Sequence, residues 1–148
     1  MERIPEVEAA KALMNEAVSW SVMKWLREKK RVRKTADQAN ATLDQLNQAV
    51  KNRWHGDIKA AYDGLVTQRP NQTPPSPVIE PHSRLNVKKV KEADDAAYRA
   101  RMDAEETFDE AERQLSTSLA REGCRKAIQS WELHENAIRK AEALVPSQ

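Results

Sequence analysis

The segment Pro70-Asn71-Gln72-Thr73-Pro74-Pro75-Ser76-Pro77-Val78-Ile79-Glu80-Pro81 carries five of the seven prolines in the chain. It cannot be helical, because each proline removes an N–H donor and biases the residue before it toward extended geometry. The other two prolines, Pro5 and Pro146, sit near the outer ends. Between these marks the chain reads as two proline-free arms, about residues 5–69 and 85–145, around a proline-rich connector at 70–84. One helical domain spanning 1–148 is expected.

Working outward from the connector, both arms show helical periodicity. In the first, Ala39, Leu43, Leu46, Val50, Trp54, Ile58, Ala61 and Leu65 recur at intervals of three and four. In the second, Val90, Ala97, Ala104 and Ala111 recur every seven residues, with Phe108 and Leu115 at the other seam position. Ile128, Trp131, His134, Ile138, Ala141 and Val145 continue the pattern. Such spacing places apolar residues on one face of a helix. No strand-like alternation of comparable length occurs.

The connector also orients the arms. A helix of about 60 residues is roughly 90 Å long, whereas 15 extended residues reach at most about 50 Å. Arms that pack on each other must therefore be antiparallel. Pairing Gln68 with Leu85 sets a register in which Arg33 lies opposite position 120, Trp25 opposite Ile128, Trp20 opposite Leu133 and Gly56 beside Ala96 and Ala97. Thr35-Ala36-Asp37-Gln38 reads as a capping box, and Gly123 interrupts the second arm near the same level. The fold class is all-α. Its favoured form is a long, coiled-coil-like antiparallel hairpin. The alternative breaks near Lys34 and Gly123 into a four-helix bundle of about 6–33, 36–68, 86–122 and 124–145.

Composition supports helices and excludes several function classes. The chain has 148 residues, 21 of them alanine, with 32% charged residues, one phenylalanine and three glycines. A β-sandwich or barrel needs more turns and more β-branched or aromatic positions. No run approaches the ~20 apolar residues of a membrane span. The start, Met1-Glu2-Arg3-Ile4-Pro5, has no secretory pattern, and Cys124 is alone, so a cytoplasmic location is expected.

Catalytic and metal motifs are missing. There is no CxxC, GxGxxG, P-loop or HExxH. The residues three before His55, His82 and His134 are Asn52, Ile79 and Trp131, which removes the Glu-x-x-His pattern of di-iron bundles. Cys124 beside Arg125 and Lys126 reads as an inert thiol. Pro74-Pro75-Ser76-Pro77 contains a minimal PxxP, but a semi-rigid spacer is the favoured reading. No enzyme, cofactor, metal or small-molecule substrate is expected.

Charge is the distinctive feature. Lys24 to Lys34 holds seven positive residues and one negative, whereas Glu92 to Glu112 holds nine acids and two arginines. In the assumed register the basic run faces further cations, Arg121, Arg125 and Lys126, and stays unneutralised. Lys24, Arg27, Lys29, Lys30, Arg31, Arg33 and Lys34 are thus candidates for binding an anion or a protein partner. Trp20, Trp25, Trp54 and Trp131 are candidate interface aromatics. The expected function is a non-enzymatic structural or interaction subunit that joins a protein partner or itself, an oligomer. The alternatives are nucleic-acid binding through residues 24–34 and an adaptor for an anionic membrane surface, with Trp20, Val22, Met23, Trp25 and Leu26 beside the charges.

Overall fold

The computed structural model describes residues 3–67 and 81–146. Among them the chain is all-α, without a strand. Its helices are α1 (Pro5–Ala17), α2 (Val22–Lys51), α3 (Gly56–Thr67), α4 (Pro81–Gln114) and α5 (Thr117–Glu142). The connector up to residue 80, with its PxxP, lies outside the described residues. Residues 81–84, expected in the connector, instead form the first turn of α4. Pro81 and Pro5 both open helices, where the missing N–H would have no partner in any case.

The arms fold back, and they break elsewhere than the sequence suggests. The first arm breaks at 18–21, where Ser21 caps α2 by accepting from the Lys24 N–H at 3.2 Å. It breaks again at 52–55. There the Trp54 indole N–H donates 2.8 Å to the Ala141 carbonyl, which lies in the last turn of α5. Thr35-Ala36-Asp37-Gln38 lies inside α2: Ala36 and Ala39 face the core, and the helix runs straight through.

The second arm breaks at Leu115-Ser116 instead of Gly123. Ser116 N–H donates to the Ala111 carbonyl at 3.0 Å and Leu115 N–H to Glu112 at 3.4 Å, a Schellman ending. Leu115 takes the left-handed position of that ending at φ 50°, where glycine is usual. The Ser116 hydroxyl then accepts from the Leu119 N–H at 3.1 Å and caps α5. One serine closes α4 and opens α5.

Helix α5 is the centre of the packing. It lies antiparallel on α4 and also contacts α1 and α2, while α3 docks on α4. The α4–α5 seam is built of small residues, Ala97, Ala104 and Ala111 against Ala120, Gly123 and Ala127. Gly123 is a point of close approach: a Cβ there would lie 2.8 Å from Phe108 Cδ1. Gly56, expected beside Ala96 and Ala97, has open space where a Cβ would stand. The core is continuous through Val7, Met14, Val32, Leu43, Trp131 and Ile138, all at most 1% exposed. Fully burying a side chain of the Val, Leu, Ile or Met class contributes about 1.5–3 kcal/mol.

Candidate interaction surface

α2 and α4 run antiparallel but meet through long side chains more than through backbone packing. Arg33 forks to Asp109 (3.0 Å) and Glu112 (3.3 Å), Arg101 bonds Asp44 (2.7 Å), and Lys51 reaches Asp94 (2.5 Å). Arg33 therefore lies opposite 109–112, several turns from the 120 expected, because the chain reverses at 115 and α5 forms a layer of its own. The expectation of an unneutralised run is corrected in part, since α4's acids hold Arg33. The bridging side chains keep α2 and α4 apart and leave two adjoining grooves between them.

The first groove, about 160 Å³, is lined by Val22, Trp25, Leu26, Phe108, Ala111 and Leu115, with Lys29 and Arg33 at its rim. It lies where the start of α2 meets the α4–α5 turn. The second, about 730 Å³ and more open, is lined by Lys29, Lys30, Arg33, Lys34, Asp37, Gln38, Ala41 and Glu112. Lys29, Arg33 and Glu112 belong to both, so the two form one trough with an apolar end and a cationic end.

The sequence-derived candidates divide clearly. Lys24 pairs with Glu16 at 3.6 Å and sits 5.2 Å from the Trp20 ring centre, and Arg31 pairs with Glu28 at 3.1 Å. Arg33 is held by α4 and also stacks 5.2 Å from the Phe108 ring centre. Arg27, Lys29, Lys30 and Lys34 form no ion pair among the described residues. The four tryptophans are a correction: Trp20, Trp25, Trp54 and Trp131 are all buried. Trp20 and Trp25 pack on each other at 6.0 Å, and the Trp131 indole donates 2.9 Å to Asn40 Oδ1. Trp20 and Trp25 have partners that the register did not place opposite them. The Trp20 carbonyl accepts from Arg121, and Trp25 lies beside Phe108 and Leu115.

The apolar surface comes from three residues outside the periodic stripes and one inside them. Val22, Met23 and Leu26 are 53%, 69% and 48% exposed, and Leu115, read as a seam residue, is 80% exposed. A leucine in a left-handed backbone position with its side chain in water is doubly unfavourable, by about 1–2 kcal/mol for the backbone alone. The i, i+4 pair of Val22 and Leu26 on an otherwise charged face was the legible signal.

Polar groups elsewhere serve the packing. His134 is buried and held down to about 4 by its burial, with the Arg101 charge adding to the effect. Burial likewise pushes the Cys124 thiol up to about 12. Tyr62 donates to Asp94, which also takes Lys51 and Asn47, and burial foremost raises its phenol. Among the described residues no group of three His, Cys, Asp or Glu side chains is placed to hold a metal ion. Among the same residues no helix is long and apolar enough to cross a membrane.

No known relative explains the trough. Comparison with protein-family models, with curated proteins and with solved structures finds no match. Its chemistry must be read from its own side chains. A groove of this size takes one bulky apolar side chain; a closed cavity of about 150 Å³ holds a benzene ring. The unpaired ammonium groups beside it favour negative charge.

Proposed function

We propose that this chain is a non-enzymatic helical interaction subunit that assembles with protein through the trough between α2 and α4. The observation that carries this reading is the gathering of exposed Val22, Leu26 and Leu115 at the apolar end of the trough, with exposed Met23 next along α2, beside Lys29, Lys30 and Lys34, which form no ion pair among the described residues. Clustered apolar surface with a charged rim is the usual anatomy of a protein contact. The test is photo-crosslinking in the native host from a benzophenone side chain at position 23 or 115. Position 140, exposed near the far end of α5, is the control. Protein adducts from 23 and 115 but not from 140 are expected. No adducts, or equal adducts from 140, would overturn the reading.

A second reading, binding of a nucleic-acid backbone, is favoured by the cationic end of the trough. With Arg33 held by α4, Arg27, Lys29, Lys30 and Lys34 remain, and about four neutralised phosphates give a log K against log salt slope of roughly −4 on duplex DNA. A membrane-surface role has less support, because Trp20 and Trp25 are core and leave only Val22, Met23 and Leu26 of its apolar anchors exposed.

A further inference from the structure

The exposed face of α4 carries the complement of the trough. Tyr98, Met102, Glu105 and Asp109 follow one another at intervals of four, three and four, which places them on one stripe of the helix. Asp109 reaches Arg33, so the stripe lies on the flank beside α2, the same flank on which the trough opens. Tyr98 and Met102 are 58% and 37% exposed. Most acids of the Glu92–Glu112 segment have partners within the chain. Asp94 pairs with Lys51, Asp95 with Lys91, Asp103 with Lys126, and Glu110 with Arg113. Glu105 and Glu106, beside Met102, form no ion pair among the described residues.

We propose that the trough docks the α4 stripe of a second copy, with Tyr98 or Met102 of that copy in the apolar groove and its Glu105 and Glu106 against Lys30 and Lys34. The inference rests on the reading above and names its partner. Three features select a second copy. The charges left unpaired on the two patches are opposite. The groove admits one side chain of the size the stripe presents. Both patches also occur on one flank: Tyr98 lies about 16 Å along α4 from Asp109, the stripe residue that meets the trough's Arg33. A twofold axis between them lets each copy insert its stripe into the other's trough, so the contact closes at two and leaves neither patch open for further growth.

The test is sedimentation equilibrium on the full chain and on three variants, with far-UV circular dichroism to confirm helix content. The wild type is expected at twice 16.9 kDa in the micromolar range. Leu26→Glu, the pair Lys30→Glu with Lys34→Glu, and the pair Glu105→Lys with Glu106→Lys should each weaken the dimer by about 100-fold or more. Mixing the two charge variants should restore a dimer, because in the mixed pair both contacts regain opposite charge. A wild type that stays monomeric to high micromolar concentration would overturn the proposal. So would a dimer that none of the variants weakens, or charge variants that do not recombine. If Leu26→Glu fails to fold, the charge pairs decide alone. A monomer that still gives crosslinks from 23 and 115 to other proteins would end this inference and leave the interaction reading intact.

Discussion

Replacing Gly123 with alanine sets two known effects against each other. Glycine in a helix interior costs about 1 kcal/mol relative to alanine, so helix propensity alone predicts a gain. The structure predicts a loss. The new Cβ would stand 2.8, 2.9 and 3.1 Å from Phe108 Cδ1, Cε1 and Cγ, against the stem of the ring as well as its edge. Phe108 is only 4% exposed, and the Arg33 guanidinium lies 5.2 Å from its ring centre, so the ring has little room to turn away. Forcing one extra carbon into such a site costs about 1–3 kcal/mol. The net expectation for Gly123→Ala is a loss of up to about 2 kcal/mol, or a fall in Tm of up to roughly 8 °C for a chain of this size. Thermal melts followed by circular dichroism measure it. Adding Phe108→Leu should recover part of the loss, so the double variant should be more stable than the sum of the single changes by about 1 kcal/mol. A rise in Tm for Gly123→Ala, or strict additivity with Phe108→Leu, would refute the close-approach argument.

Four further outcomes follow from the same structure. Because His134 titrates near 4 when folded and near 6.5 when unfolded, stability is full above about pH 6.5. It should fall by about 3 kcal/mol as the pH drops to 4, and His134→Gln should flatten that slope in urea titrations at several pH values. Leu115→Gly should raise Tm by about 2–4 °C, since glycine accepts φ 50° without strain, while crosslinking through the trough weakens. Trp54→Phe removes the indole donor from the Ala141 carbonyl, which keeps the Leu144 N–H, and should cost about 0.5–1.5 kcal/mol in chemical denaturation. Cys124, with no exposed surface and its thiol held near 12, should react with an aromatic disulfide reagent only as fast as the chain opens.

The second arm's seam was readable because its physics is local. Val90, Ala97, Ala104, Phe108 and Ala111 are buried at the expected spacing, as are Trp131, His134, Ile138 and Ala141. The helix breaks were not, because a capping serine differs from any other serine only by its neighbours' geometry. Ser21 and Ser116 cap, whereas Thr35 sits mid-helix where Ala36 and Ala39 reward continuation. Gly123 shows the same ambiguity: a helical glycine marks either a stop or a near approach, and only the partner ring decides. The reversal at 115 also shifts the register of the first arm, which meets 109–112 where an unbroken second arm would present 120. Of the candidate surface, the cations were visible in the composition of residues 24–34. Of its apolar half, Val22 and Leu26 were visible beside those charges, but Leu115 was not, because it joins them only after the fold-back.

The central position of α5 has a consequence for synthesis. It is the last of the five helices to leave the ribosome, yet α1, α2 and α4 all bury their apolar stripes against it. At 5–20 residues per second, several seconds separate the emergence of Leu43 from that of Ile138. During that interval the nascent first arm has only itself to cover its apolar face, and at this stage a holdase would find it. The α4–α5 hairpin, closed by a single serine, can form within microseconds to milliseconds of its own emergence. Folding of the whole chain is therefore gated by translation of its C-terminal third, and codon choice between residues 51 and 117 sets how long the first arm waits.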